Sequence, residues 1–366
     1  MALVHDYLNQ RGGAERVFAH IAGAFPDAPV FTSIYNEREL ADLIPADRVR
    51  TTFLQRLPGR DRYFRALAPL YPLAFERLKL QPYDLVISST TAWAKGILTR
   101  RDAVHICYIN TVSRFAFDYE RYVGGFGAAA FARPLVRGLV AWDKRAAQRP
   151  TLFVANSRNV AERVHRFYGR ASEVLPCPVD VDRFSVGPGR GDYYAIVSRL
   201  LPYKRIELAI AGCALAGVPL QIIGSGPAEA ALRAAAAGTQ TTFHGYLDDA
   251  GVNRVVGNAR AAIVPGVEDF GLVPLEAAAA GRPTIAFGAG GALETIVAGK
   301  TGMFFTDSNA ASLAQALRDF DPAQYPAERL RAHAERFAPA RFIEGLRAIV
   351  DRALERNEHG FEHPFV

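Results

Sequence analysis

Four charged side chains in this 366-residue chain are spaced so that they could do chemistry together: Glu268 and Glu276, eight positions apart, and Arg199 and Lys204, five apart. A carboxylate accepts hydrogen bonds from vicinal hydroxyls, so two acids suit a polyol. An Arg and a Lys beside a helix start suit a diphosphate, above all one that gains charge as it leaves. Between the two acids the chain reads Asp269-Phe270-Gly271-Leu272-Val273-Pro274. Pro274 suits the first position of a helix, where its missing N–H is not needed. That places Glu276 in the first turn and Glu268 in the preceding loop. The free N–H groups near Gly271, Leu272 and Val273 would then face an anion favoured by the helix dipole. A phosphate flanked by two polyol-binding acids describes a nucleotide-sugar. Each feature also has a plainer reading: an acid at a helix start, a solvated acidic loop, a surface pair at a helix entrance.

Such residues need a scaffold that brings loops together. Short β-like runs alternate with helical patterns along the whole chain, the rhythm of α/β units with parallel sheets. Strand-like runs stand at 2–4, 84–88, 104–109 and 151–155, and again at 193–197, 219–223, 241–246, 261–264 and 284–287. Helical spacing appears in Val17, Phe18, Ile21 and Phe25, over about 128–148, and in Phe342, Leu346, Ile349, Val350 and Ala353. Asn156-Ser157 reads as a helix cap. The stretch 185–191, SVGPGRG, is the linker. The expected division is 1–186, 187–340 and a terminal helix at 341–366.

Composition narrows the class. The length favours two domains, each able to bury a core. Half the residues are hydrophobic and 22% are charged, as in ordinary globular proteins. No apolar run approaches the ~18 residues of a membrane span. The opening MALVHDYLNQ has neither the basic region nor the apolar core of a leader peptide. Cys107, Cys177 and Cys213 show no metal or redox spacing and read as reduced core thiols, which points to the cytoplasm. The net charge of +6 is too diffuse to argue for nucleic acid. Much of it falls between 47 and 79, where eight Arg or Lys outnumber three acids among Phe53, Tyr63, Phe64, Tyr71 and Phe75. That stretch reads as a solvated face or, more sharply, as a contact with the inner face of the cell membrane near a lipid-linked acceptor.

The string EDFGLVPLEAAAAGRPTIAFGAGGALET, with seven residues between Glu268 and Glu276, resembles the E-x7-E motif of retaining glycosyltransferases. It is similar to glycosyltransferase family 4, especially the bacterial mannosyltransferase-like members that build surface polysaccharides. The resemblance implies the GT-B fold, in which two Rossmann-like domains face each other across a cleft. The first would take the acceptor and the second the nucleotide-sugar, with the terminal helix crossing back. Arg199 and Lys204 would then lie on the donor diphosphate, Glu268 on the donor sugar and Glu276 on the ribose. Asp269, Phe270, Gly271, Leu272 and Val273 would complete the donor loop. In relatives the loop matching RGGAE, with Gly12 and Gly13, touches donor phosphates or shapes the acceptor site. The turn matching TTFHGY, with Gly245, lines the nucleobase pocket. In the segment CYINTVSR, Cys107, Tyr108, Thr111 and Arg114 keep the family pattern, while Asn110 stands where a His would be and Val112 where a Pro would be. Asn hydrogen-bonds a hydroxyl but carries no proton. Asn110 and Arg114 are assigned to the sugar or acceptor side.

The implied reaction moves a hexose, with GDP-mannose the favoured donor and UDP-sugars next. It retains the anomeric configuration and uses neither cofactor nor metal. Asp180-Val181-Asp182 resembles a diphosphate-metal motif, but PVDVDRF fits the interdomain turn of the family better. Gly224-Ser225-Gly226-Pro227 is not a full dinucleotide fingerprint. His244 reads as a pocket wall or core residue and Glu294 as a helix cap. The competing class is a nucleotide-sugar hydrolase or epimerase. A hydrolase needs two carboxyls roughly 5–9.5 Å apart, but it has no use for the Arg199/Lys204 pair.

Overall fold

A computed structural model of the chain describes residues 1–114 and 129–358. Contacts divide the chain into two units: Met1–Pro176 with Phe342–Val366, and Cys177–Arg341.

The first unit holds a seven-stranded sheet in the order β3-β2-β1-β4-β5-β6-β7. Its strands are β1 Ala2–His5, β2 Val30–Thr32, β3 Val49–Thr51, β4 Leu85–Thr90, β5 Val104–Ile109, β6 Leu152–Ala155 and β7 Ser172–Val174. Every pairing is parallel. β4 and β5 are buried along their full length, as expected of a parallel sheet covered on both faces. The helix Gly13–Ala24 turns Val17, Phe18 and Ile21 inward. Ser157 caps the helix Arg158–Tyr168, its side chain accepting from Val160 N–H at 3.0 Å. Between β3 and β4 the prolines break the chain into short helices. The terminal helix Pro339–Glu358 belongs here from Phe342 onward. Phe342 meets Tyr108 edge-on at 5.6 Å, and Arg347 donates to the Ala24 carbonyl at 3.0 Å.

The second unit holds a six-stranded parallel sheet, β10-β9-β8-β11-β12-β13. Here β8 is Tyr194–Val197, β9 Leu220–Ile223, β10 Thr241–Gly245, β11 Ala262–Val264, β12 Thr284–Phe287 and β13 Gly302–Phe305. Its core is aliphatic and rich in alanine. Both sheets therefore run outward in both directions from one central pair, β1/β4 or β8/β11. In open α/β sheets ligands bind beyond the carboxyl ends of the strands at such a reversal of strand order.

The division falls after Pro176, upstream of the glycine- and proline-rich stretch 185–191. Val181 and Phe184 are buried in the core of the second unit, and Val179 N–H donates to the Phe337 carbonyl at 2.8 Å. These contacts pull the residues before the linker into the second unit. Among the described residues, no helix is long and apolar enough to cross a membrane. All three cysteines are free and buried, and burial pushes the thiols of Cys107 and Cys213 up to about 12.

Candidate functional site

The loops that leave β8 and β11 lie side by side, and glycines set how closely. After β8 the chain turns through Arg199 into a 3-10 turn, Pro202–Lys204, and then the helix Ile206–Ala216. Arg205, at the joint, has φ +55°, the one left-handed non-glycine backbone among the described residues. A Cβ on Gly266, just past β11, would stand 2.9 Å from the carbonyl oxygens of both Tyr203 and Lys204. The β11 loop thus lies directly on the backbone that carries Lys204. Glu268 follows two residues later, and both of its carboxylate oxygens are 2.7 Å from Lys204 Nζ. The two side chains are only 18% and 20% exposed, Lys204 first, so this ion pair is partly shielded from water.

A third loop, after β12, braces the acidic one. Gly291 N–H donates to the Glu268 carbonyl at 2.8 Å. A Cβ on Gly291 would meet the Phe270 Cα and carbonyl oxygen at 2.4 Å, which no side-chain shift relieves. Phe270 is buried and meets Phe337 edge-on at 6.1 Å. Gly271, at φ +99°, then turns the chain into the helix Leu272–Ala279. The β11 loop is therefore held from below by Lys204, from the side by Gly291 and from within by Phe270.

That helix starts two residues earlier than the proline suggests. Pro274 is its third residue; its absent N–H is still one of the first four that lack an intrahelical partner. Glu276 consequently sits in the second turn rather than the first. It is half-buried and lines a small hollow with Phe184, Val197, Val252, Val256 and Val273. Asp269, Leu272 and Val273 are half-buried as well. Arg199 is exposed and makes no side-chain hydrogen bond or ion pair among the described residues.

The turn 224–227 has a structural explanation. A Cβ on Gly224 would lie 1.9 Å from the Ser198 carbonyl oxygen, and one on Gly226 would lie 2.5 Å from that of Leu200. These glycines let the turn press on the backbone either side of Arg199. Gly245 ends the edge strand β10 at φ +66°, and its carbonyl accepts from Gly224 N–H at 2.7 Å. His244 is not a core residue. It is exposed on that edge strand, with Nε2 2.9 Å from Gln221 Oε1. Glu294 lies inside the short helix Ala292–Thr295, whose cap position is Gly291. Asp182 is fully exposed and pairs with Arg331 at 3.4 Å.

The remaining candidates belong to the first unit. Gly12 is the cap position and Gly13 the first residue of their helix. A Cβ on Gly12 would meet the carboxylate of buried Glu15. Asn110 is buried, and its Nδ2 donates to Ser89 Oγ at 3.1 Å and to the Thr90 carbonyl at 3.3 Å. Its amide is therefore used to tie the end of β5 to β4. Arg114 is half-buried at the limit of the described residues.

Sequence reasoning missed a dense buried polar cluster in the first unit. Asp6, just past β1, is 1% exposed. It accepts from the N–H groups of Thr91, Ala92, Trp93 and Ala94 at 2.6, 2.8, 2.9 and 2.6 Å. It also accepts from the hydroxyls of Thr90 and Thr91 at 3.0 and 2.8 Å. Next to it Lys95 is buried against Asp143, Nζ to Oδ1 2.5 Å, with Ser113 Oγ at 3.0 Å from the same Nζ. Tyr168 donates to the other Asp143 oxygen at 2.8 Å. Burial works against the Lys95 charge, but the Asp143 carboxylate outweighs it and holds the ammonium above its ordinary range. No spacing rule links Asp6 to residues more than eighty positions away, so no local signal announces this cluster.

Residues 11–183 match the family model Glycosyltransferase Family 4, and residues 180–336 match Glycosyl transferases group 1. Over 99 residues, 26% of this chain, the sequence is 41% identical to a glycogen synthase of Mycobacterium tuberculosis (strain CDC 1551 / Oshkosh). Over 144 residues, 37% of the chain, it is 31% identical to a glycogen synthase of Pseudomonas paraeruginosa (strain DSM 24068 / PA7). The chain spans 23% and 28% of the length of these two relatives. Among solved structures it is similar to sucrose-phosphate synthase from Thermosynechococcus elongatus, with TM-score 0.73 and 17% identity, covering 97% of this chain and 100% of that one. It is also similar to Anabaena HepE in complex with UDP-glucose, with TM-score 0.68 and 19% identity, covering 96% and 99%. The fold is that of the GT-B glycosyltransferases, with two Rossmann-like domains.

Proposed function

We propose that this chain, a Glycosyltransferase Family 4 domain followed by a Glycosyl transferases group 1 domain, transfers a hexosyl group from a nucleoside diphosphate sugar to a hydroxyl of a saccharide or lipid-linked acceptor. The second unit would hold the donor and the first the acceptor. The observation that carries the reading is the Lys204–Glu268 pair at the β8/β11 reversal.

That pair is a site waiting for an exchange. A donor's phosphate would take over Lys204, and the sugar hydroxyls would take over Glu268. Arg199, exposed at the same rim, would meet the diphosphate, together with the N–H groups at the start of the helix Leu272–Ala279. Glu276 would hold the ribose. As the bond between the anomeric carbon and phosphate oxygen breaks, charge grows on the diphosphate, and these groups stabilise it. Each charged hydrogen bond contributes on the order of 1.5–3 kcal/mol, so two cations account for ~10²–10⁴ in rate. The acceptor oxygen bonds the same face of that carbon, and its proton passes to the departing phosphate. No protein nucleophile is needed, and the configuration is retained.

The sequence resemblance favours GDP-mannose. HepE, which holds UDP-glucose, supports that donor instead; a glycogen synthase and a sucrose-phosphate synthase fit a glucosyl donor without naming its nucleotide. UDP-glucose is therefore the first donor to try. A thermal-shift screen with UDP, GDP, ADP and their sugars tests the reading. Selective stabilisation by one base assigns the donor class; no response to any of them removes the proposal. Rapid acceptor-independent release of free sugar would favour the hydrolase instead.

A further inference from the structure

Residues 50–79 carry seven Arg or Lys against two acids, five of the six net positive charges of the whole chain. They form a run of short helices, Phe53–Arg56, Arg60–Tyr63, Phe64–Leu70 and Tyr71–Glu76, packed one on the next. The run is anchored inward by Leu54, Phe64, Tyr71, Phe75 and Leu78, which join the core of the first unit. Its outward residues are not a purely polar surface. Phe53, Tyr63, Leu70 and Leu73 are 38%, 57%, 37% and 42% exposed. They stand among the exposed cations Arg50, Arg56, Arg65, Arg77 and Lys79. A solvated face has no use for four large apolar side chains in 21 residues, and a protein core has no use for five exposed cations between positions 50 and 79. The combination suits an interface that is anionic at its surface and apolar just beneath.

We infer that this run is a docking face for an anionic lipid bilayer, the cations meeting headgroup phosphates while the four apolar side chains enter the interfacial layer. The charge concentration selects this occupant. An acidic protein or a nucleic acid would satisfy the cations but leave Leu70 and Leu73 unaccounted for. The inference deepens the lipid-linked branch of the proposed acceptor and rests on that reading only for the purpose of the contact. Binding itself requires neither donor nor acceptor.

The experiment is sedimentation of the full chain with vesicles of phosphatidylcholine alone and of phosphatidylcholine mixed with phosphatidylglycerol, at physiological salt, without nucleotide. Binding is expected on the anionic vesicles only, weakening as salt rises. Each exposed cation is expected to contribute about fivefold, equivalent to about 1 kcal/mol near an anionic surface. Arg56→Ser, Arg65→Ser, Arg77→Ser and Lys79→Ser together should therefore lower partitioning by more than about a hundredfold. Leu70→Ser with Leu73→Ser should lower it at unchanged salt dependence. Circular dichroism and the nucleotide thermal shift are expected to stay as in the parent, so a failed fold or a failed donor site is recognised separately. Equal binding to neutral vesicles, no binding to either, binding that survives the fourfold variant, or preference for DNA over anionic vesicles at the same salt would each overturn the inference.

Discussion

At the centre of each sheet the order of strands reverses, and at each reversal a carboxylate closes the gap. Between β1 and β4 it is Asp6, completely buried and held by four backbone N–H groups and two hydroxyls. Between β8 and β11 it is Glu268, one-fifth exposed, with both oxygens on the Lys204 amine. The first carboxylate is sealed from water by six donors; the second is partly exposed and sits on a cation of the kind a phosphate also engages. The same topology thus ends in a sealed carboxylate in one domain and a partly exposed one in the other. The interiors follow the same division. Among the described residues, eighteen buried polar or charged side chains lie in the first unit and four in the second. All four buried charged residues, Asp6, Glu15, Lys95 and Asp143, lie in the first.

The sharpest way to break this contrast is Lys95→Met, which leaves the buried Asp143 carboxylate without its cation, only the hydroxyls of Tyr168 and Ser113 still donating to it. It is expected to cost about 3–5 kcal/mol, read by hydrogen exchange as lost protection in the first unit only. Equal loss in the second unit would show that the two do not differ in this way. The mirror experiment is Lys204→Ala. It should lower turnover about 10²-fold with little change in melting temperature; an unaltered rate would take Lys204 off the diphosphate.

Acid should separate the units next. Burial holds His105 down to about 3 and also lowers His5, both in the first unit; His333 is lowered in the second. A depressed histidine is neutral when folded and protonates on unfolding, so the unfolded state binds more protons. Stability is therefore full above about pH 6.5 and falls as pH drops toward 3, by on the order of 2 kcal/mol at pH 4.5. Melts from pH 7 to 4.5 with exchange mapping should find the first unit opening first. The smallest effect should be alike in both. Ser157→Ala and Asp248→Ala each remove a helix cap bonded to the backbone. Each should cost about 1 kcal/mol in denaturant titrations, and a marked inequality would mean that helix ends are not equivalent in the two units.

Much of this architecture was legible beforehand. Apolar runs located β5 and β12 to the residue, because buried parallel strands are continuous hydrophobic stretches. The Arg199/Lys204 spacing marked the loop between β8 and the helix Ile206–Ala216, since a strand and a following helix leave little freedom between them. Three things were not legible. Gly271 starts the last site helix before Pro274, because left-handed glycine geometry overrides the proline signal. The Lys204–Glu268 contact spans 64 positions and depends on Gly266 fitting against a backbone carbonyl. The Asp6 cluster unites strand ends that only the folded sheet makes neighbours.

The return of the helix Pro339–Glu358 to the first unit also bears on how the chain is made. The second unit is in effect an insertion between two pieces of the first. On a ribosome it can close as soon as Arg341 emerges, while the earlier-made domain still lacks the helix that carries Phe342 onto Tyr108. The usual order, amino-terminal domain first, is thereby inverted for its final step. The segment after Arg341 completes the domain that the residues before Cys177 began.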